Sequence, residues 1–225
     1  MTRHITSIAL VLFLALNHGA EAGQDKKTKH AKKQESAGYG VIAPIFSQLV
    51  AFTLPVGFTT VAEDGNSKSY LREAVLEGET VEHWTQMVTV TGARGLSAVP
   101  SLTPRAVASS IADGFQSACP DTYSEAGLPE GKAGGGYEQF AAVVSCGASP
   151  GTGGTTSESA LVVVIKGEKD YYTIQWAERA APSNAPIQLN QAKWSSRLAR
   201  LSPINLCPIL PGEAPPYPSC WQKNR

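Results

Sequence analysis

Acidic side chains and a histidine, the residue types that perform acid–base chemistry, are concentrated in one polar stretch. Eleven consecutive residues contain Glu73, Glu77, Glu79, Glu82 and His83. Two carboxylates, or a carboxylate and an imidazole, can act as general acid and base. Acids in a polar turn are ordinarily exposed to solvent, and the chain has no G-x-S-x-G motif to supply a nucleophile. The pattern favours a noncatalytic role, with a hydrolase that uses carboxylates or His83 on an envelope substrate as the alternative.

The same stretch contains the candidate binding residues. A tryptophan beside polar residues is a common anchor for a protein partner, which makes Glu82, His83 and Trp84 a candidate recognition surface, although filling the core is the favoured role for Trp84. Arg72 and Glu73 are neighbours in a predicted strand and therefore point to opposite faces. At least one of them is expected to be partly buried and to need a partner, and a structural ion pair is favoured. No residue pattern predicts a catalytic centre, a metal site or a cofactor.

The four cysteines predict disulfide bonds rather than a metal site. Cys119, Cys146, Cys207 and Cys220 lack any C-x-x-C spacing, which disfavours structural zinc and redox chemistry. An even number of cysteines in an exported chain indicates disulfides, and four cysteines allow three connectivities. We favour Cys119–Cys146 and Cys207–Cys220, because each pair closes a short loop rich in Gly or Pro and would contribute about 3 kcal/mol in the chain-entropy model.

Residues 1–22 are predicted to be a cleavable export signal. Arg3 and His4 precede an apolar run at 8–16, and Ala20-Glu21-Ala22 supplies the small residues that a signal peptidase reads. The run is far shorter than the roughly 20 residues of a membrane-spanning helix, and no later run approaches that length. We therefore expect a soluble, exported protein of the periplasm or extracellular space, without a transmembrane segment.

Residues 23–39 are predicted to be a disordered arm with an excess of lysine. The arm contains only two acidic residues, Asp25 and Glu35, against Lys26, Lys27, Lys29, Lys32 and Lys33. Such a composition buries too little apolar surface to offset the entropy of ordering. A solvated spacer is the favoured interpretation. The alternative is an electrostatic contact of residues 26–33 with anionic lipid, polysaccharide or an acidic partner.

The composition of the whole chain indicates one folded domain. Hydrophobic residues make up 42% and charged residues 17%, and the 19 basic residues balance the 19 acidic ones. This is the composition of a globular protein, and nothing in the overall charge indicates binding to nucleic acid. A protein or an envelope component is the expected partner.

Alternating and β-branched patterns predict most of the elements. Strands are predicted at 41–46, 48–54, 58–62, 69–76, 86–91, 137–146, 159–166 and 170–177. Segments 48–54 and 58–62 form a hairpin-like pair around a Pro-Val-Gly turn, and Thr80 could cap a short helical turn. The continuously apolar run 161–165 predicts a central strand covered on both faces.

Two helices and a proline-rich tail complete the expected fold. Thr103 and Pro104 are typical of a helix start, and the spacing of Val107, Ile111 and Phe115 places them on one helical face. A second helix is predicted at 187–201. We expect a signal at 1–22, the arm at 23–39, one α+β domain at 40–202 and a disulfide-closed proline-rich strap at 203–225. The sheet should be mostly antiparallel and flanked by the two helices.

Part of this pattern resembles a known family. The segments FTLPVG (52–57), YLRE (70–73) and GETVEHWTQMVTV (78–90) resemble exported bacterial proteins of unassigned function. Their order of hairpin, strand, turn and strand is similar to that of the PsbP-like α/β/α sandwich proteins. The resemblance implies an α/β/α sandwich and a noncatalytic binding or assembly module, because PsbP-like proteins mostly act as accessory subunits.

Overall fold

The computed structural model describes residues 38–222, so the predicted signal and nearly all of the predicted arm lie outside the described residues. The strands are β1 (Tyr39–Ile45), β2 (Gln48–Leu54), β3 (Phe58–Gly65), β4 (Ser69–Leu76), β5 (Gln86–Ala93), β6 (Tyr123–Gly127), β7 (Gly131–Lys132), β8 (Glu138–Cys146), β9 (Ser157–Lys166), β10 (Tyr171–Ala180) and β11 (Asn205–Pro208). The α-helices are α1 (Pro104–Ala118), α2 (Gln191–Leu201) and α3 (Pro218–Gln222).

The larger sheet is antiparallel and has the order β3-β4-β5-β10-β9-β8-β6, with β7 also pairing with β8. Its most buried strand is β9, where Leu161 and Val163 face one core cluster and Val162 and Val164 face another. This confirms the expectation of a central strand covered on both faces. The short turn between β9 and β10 joins them as an antiparallel hairpin.

The smaller sheet has three strands in the order β1-β2-β11. It packs on one face of the larger sheet, which we call the inner face, because Val50 and Phe52 join Leu161 and Val163 in the same buried cluster. The predicted hairpin of β2 with β3 is wrong. The turn at Pro55 carries the chain from the smaller sheet to the larger one, so β2 pairs with β1 and β11 while β3 pairs with β4.

Helix α1 covers part of the opposite, outer face of the larger sheet. The Thr103 hydroxyl accepts a hydrogen bond from the backbone N–H of Ala106 at 3.1 Å, and Pro104 is the first helical residue, as predicted. Small side chains, Ala108 and Ala112, lie at the centre of the buried face, so the helix approaches the sheet closely. The helix packs against β6, β8 and β9 and leaves the rest of the outer face without a helix of its own.

Helix α2 packs on the inner face, beside the smaller sheet. It begins at Gln191 rather than near 187, because the Asn190 side chain caps it by accepting a hydrogen bond from Lys193 N–H at 3.0 Å. The Arg197 guanidinium lies 4.8 Å from the Trp176 ring and 4.7 Å from the Trp194 ring. It also donates to the Glu178 carboxylate at 2.6 Å. These contacts fix the helix to the end of β10.

Both favoured disulfides are present. Cys119–Cys146 joins the end of α1 to β8, and Cys207–Cys220 joins β11 to α3, with Cα–Cα distances of 5.8 and 5.5 Å. The second bridge holds the proline-rich strap against the outside of the smaller sheet, where Leu49 packs with its cysteines. The strap also contributes β11 to that sheet, which its prolines do not predict.

The architecture is therefore α+β with a mostly antiparallel sheet, as predicted. One outer layer is α1 and the other is the smaller sheet together with α2. None of the helices within 38–222 has the length and hydropathy of a membrane span, and these residues contain no group of three or more His, Cys, Asp or Glu side chains that could hold a metal ion.

Candidate functional site

The part of the outer face that α1 leaves uncovered carries two cross-strand rows of side chains. Antiparallel register sets Asp64, Leu71, Thr91 and Thr173 side by side in one row, and Ala62, Glu73, Thr89 and Gln175 in the next. Directly opposed residues in antiparallel strands point to the same face. We call the following set the outer strip, in which Asp64 is exposed, Thr173 is buried and the others are half-buried: Asp64, Leu71, Glu73, Thr89, Thr91, Thr173 and Gln175.

Glu73 is the chemically distinctive member of the outer strip. It is half-buried, and its carboxylate forms no ion pair or hydrogen bond with the residues the structure describes. Burial raises the pKa of the Glu73 carboxyl above its ordinary value, because the charged form loses solvation. A cation placed over the strip would restore that lost stabilisation.

The other strip residues present hydroxyl and amide groups. The Thr91 and Thr173 hydroxyls lie 2.7 Å apart, and the Gln175 amide lies 3.4 Å from the Thr173 hydroxyl. The Gln175 carbonyl oxygen and the Thr89 hydroxyl add further capacity to accept hydrogen bonds. The strip therefore combines two carboxylates with neutral hydrogen-bonding groups on a sheet surface.

Trp84 closes one end of the outer strip. Its indole is 9% exposed and packs with Val75 and Met87. The Arg179 guanidinium lies 3.7 Å from the ring centroid and pairs with Glu158 at 3.2 Å. Trp84 thus belongs to a small core beside the strip, and little of its ring is available at the surface.

The turn before Trp84 is not helical, so the predicted helical turn is wrong. The Thr80 hydroxyl does accept a hydrogen bond from the His83 N–H at 3.2 Å, as a helix cap would. Residues 81–83 nevertheless form bends rather than a helical turn. Burial raises the pKa of the Glu79 carboxyl, but hydrogen bonds from Thr85 and the backbone outweigh it and hold the pKa below its usual value. Glu82 and His83 are exposed on this turn.

Arg72 lies on the opposite face of the larger sheet. It donates to the Thr60 hydroxyl at 3.2 Å and lies 3.9 Å from the Glu63 carboxylate. Together with Ala74 and Val88 it lines an apolar cavity of about 10 Å³. That volume is at the lower limit for one water molecule, so the cavity cannot hold a substrate.

The structure therefore separates the five predicted binding residues. Glu73 and Trp84 share the outer face, Arg72 lies on the inner face, and Glu82 and His83 are on the adjoining turn. Sequence reasoning missed Asp64, Thr89, Thr91, Thr173 and Gln175. The available signal was the alternation in TVT (89–91) and TIQ (173–175), which directs the polar side chains of each strand to one face.

Comparison with known proteins assigns no family. No protein-family model and no curated protein matches the sequence. Among solved structures, the chain is similar to the Ran-binding protein Mog1p of Saccharomyces cerevisiae, with 13% identity and a TM-score of 0.39 over 73% of this chain and 85% of that protein. A point mutant of Mog1 gives 14% identity and a TM-score of 0.39 over 73% and 86%. A Bacteroides thetaiotaomicron protein gives 10% identity and a TM-score of 0.36 over 73% of this chain and 46% of that one. At these values the similarities carry no functional assignment.

Proposed function

We propose that this protein is a noncatalytic binding or accessory module of the bacterial cell envelope, and that it holds a cationic segment of a protein partner on the outer strip. The observation that carries the proposal is Glu73, a half-buried carboxylate without a partner among the described residues. A half-buried charge is stabilised by an opposite charge, so a lysine or arginine side chain is the ligand that fits it.

The surroundings of Glu73 support the same ligand. Asp64 adds a second carboxylate in the neighbouring row, and Thr89 and Gln175 can accept hydrogen bonds from an ammonium or guanidinium group. Of the six acidic residues in 58–93, which contain β3, β4 and β5, Asp64 and Glu73 lie on the strip. The two basic residues lie off it, Lys68 in the turn between β3 and β4 and Arg72 on the opposite face. A surface with this charge balance attracts a basic segment and repels an acidic one.

Export and the envelope location are part of the proposal. The predicted signal at 1–22 supports them, and disulfide bonds are typical of oxidising compartments. The resemblance of residues 52–90 to PsbP-like proteins, which are mostly accessory subunits, supports a role in binding or assembly.

The test is capture of a partner by crosslinking from the native envelope fraction with the intact protein. Thr89→Arg places a cation and added bulk in the outer strip, and Ser109→Arg places the same side chain on the exposed side of α1 as a matched control. We expect a stoichiometric partner with a basic segment to be captured by the wild type and by Ser109→Arg, and to be lost with Thr89→Arg. Equal capture by all three proteins would exclude the strip as the binding surface.

A further inference from the structure

The outer strip also fits a segment of this same chain. We propose that the lysine-rich residues 23–37 fold back onto the outer strip and occupy it in the absence of a partner. This inference rests on the proposed function, because it assigns an internal competitor to the same surface. It differs from a contact of the lysines with lipid or polysaccharide, since the acidic surface belongs to the protein itself.

The described chain begins close to the edge strand of the larger sheet. Tyr39 opens β1, and its hydroxyl donates a hydrogen bond to the backbone carbonyl of Phe58 at 2.9 Å. Phe58 is the first residue of β3, which is the edge strand of the larger sheet. The described chain therefore begins at the edge of the larger sheet, beside the Phe58 end of the strand that carries Asp64 at its other end.

The chain that precedes residue 38 is long enough for some of its lysines to reach the outer strip. An extended chain covers about 3.3 Å per residue, so Lys33 can lie up to roughly 17 Å and Lys26 roughly 40 Å from the point where the described chain begins. Neighbouring strands are about 4.8 Å apart, and the strip extends from β3 across β4 and β5 to β10, roughly 14 Å. Asp64 lies six residues along β3 from Phe58, about 20 Å, and on the opposite face from β1, so Lys33 falls short. Lys26, Lys27 and Lys29, with about 30–40 Å of chain, can pass around the β3 edge and reach both Asp64 and Glu73.

The charges of the arm and of the outer strip are opposite. Residues 23–37 contain five lysines and two acidic residues, whereas the outer strip contains the carboxylates of Asp64 and Glu73 and no basic residue. No helix of the described chain packs on the strip, and burial alone accounts for the raised pKa of Glu73. A tethered cationic segment is present at a local concentration of about millimolar, so even a weak contact would compete with a partner in solution.

The consequence is a self-masking surface. The lysines lower the apparent affinity of the strip for an external cationic segment, and they are displaced when a better ligand binds. Salt weakens both contacts, because the charges are at or near the surface.

Two measurements on the intact protein test this inference. In the first, carbodiimide links lysine to carboxylate groups in direct contact, and mass spectrometry locates the links. We expect links from residues 26–33 to concentrate on Asp64 and Glu73 and to disappear in about 0.5 M salt. Glu125 and Glu130 are exposed near the other edge of the sheet and are the reference. Links spread evenly over the four carboxylates would overturn the inference.

The second measurement compares binding of a fluorescent decalysine peptide to the wild type and to a variant with all five arm lysines replaced by glutamine. Removal of the competitor should tighten binding about tenfold, and Glu73→Gln should weaken it in either background. Equal binding by the two proteins, still dependent on Glu73, would overturn self-masking and leave the proposed function standing. Absence of binding in both would overturn the proposed function, and the competition with it.

Discussion

Asp170 offers the sharpest test of how this fold is held together. Its carboxylate is 2% exposed and joins three separate turns. It accepts hydrogen bonds from the Gly95 N–H at 2.8 Å, from the Ser47 N–H at 3.2 Å and from the Ser47 hydroxyl, and the Tyr172 hydroxyl lies 3.4 Å away. Burial alone would raise the pKa of Asp170, but these hydrogen bonds outweigh it and hold the pKa below its usual value.

Asp170→Asn keeps the shape of the side chain and removes its charge. An amide has one acceptor oxygen, so either orientation leaves the N–H of Ser47 or of Gly95 facing an NH₂ group. One charge-assisted bond is lost outright and the others weaken, which should lower the free energy of unfolding by about 2–4 kcal/mol. For a domain of this size, the melting temperature should fall by about 5–15 °C.

The lowered pKa of Asp170 determines how the effect of Asp170→Asn on stability changes with pH. A carboxylate whose folded pKa is depressed stabilises the protein above its unfolded pKa, and that stabilisation is lost as the pH falls through the folded value. The difference between wild type and Asp170→Asn should therefore be full at pH 7 and shrink below about pH 4. Thermal melts over this range are the assay, with the exposed Asp113→Asn on α1 as control. A difference at pH 7 of less than about 2 °C, or one that does not change with pH, would refute the reasoning.

The remaining predictions concern other parts of the fold. Burial raises the pKa of Glu73, so in the variant whose five arm lysines are replaced by glutamine, Glu73→Gln should raise the melting temperature at pH 7 and lose this advantage below about pH 4, where the carboxyl is protonated in both states; the exposed Glu77→Gln should do neither. Replacing Cys207 and Cys220 by serine should cost about 3 kcal/mol and make the strap the first site of limited proteolysis, whereas proteolysis that begins elsewhere would show that the strap is held by packing. Ala112→Leu should lower the free energy of unfolding by about 1–3 kcal/mol, measured by urea denaturation, because α1 approaches the sheet through small side chains; an unchanged midpoint would contradict close packing.

Local sequence signals were sufficient for most elements. The apolar run 161–165 predicted the central strand, and Thr103 with Pro104 predicted the start of α1 to the residue. These signals depend on residues that are neighbours in the chain, so they can be recognised without knowledge of the tertiary fold. The favoured cysteine pairing was also correct, because short loops limit which cysteines can meet.

The errors concern long-range pairing and partner choice. The turn at Pro55 has the composition of a hairpin turn, but β2 pairs instead with β11, about 150 residues further along the chain. The segment that forms β6 has little apolar alternation, and it pairs with β8, where Tyr123 lies opposite the disulfide-bonded Cys146. Neither pairing is encoded locally.

The candidate site was only partly predictable for the same reason. Alternation shows that Thr89 and Thr91 share one face of β5 and that Thr173 and Gln175 share one face of β10, but it shows neither that these faces coincide nor whether a helix covers them. Coverage depends on where α1 lies, and α1 packs over β6, β8 and β9. The sequence therefore indicated only that Arg72 or Glu73 would be partly buried and need a partner, and the fold of residues 38–222 shows that Glu73 is the one to which no helix supplies a partner.

The contrast between the two carboxylates connects stability to function. Asp170 is deeply buried and receives several hydrogen bonds, so its charge stabilises the fold; Glu73 is half-buried and receives none from the described residues, so its charge opposes folding. Replacing Glu73 with a neutral residue would remove that cost. Places where a chain departs from locally favourable chemistry are commonly functional sites. If Glu73 exists to hold a cation, Glu73→Gln must stabilise the protein that lacks the arm lysines and weaken decalysine binding in the same background, and a result in which only one of these holds would separate the charge from the function we assign to it.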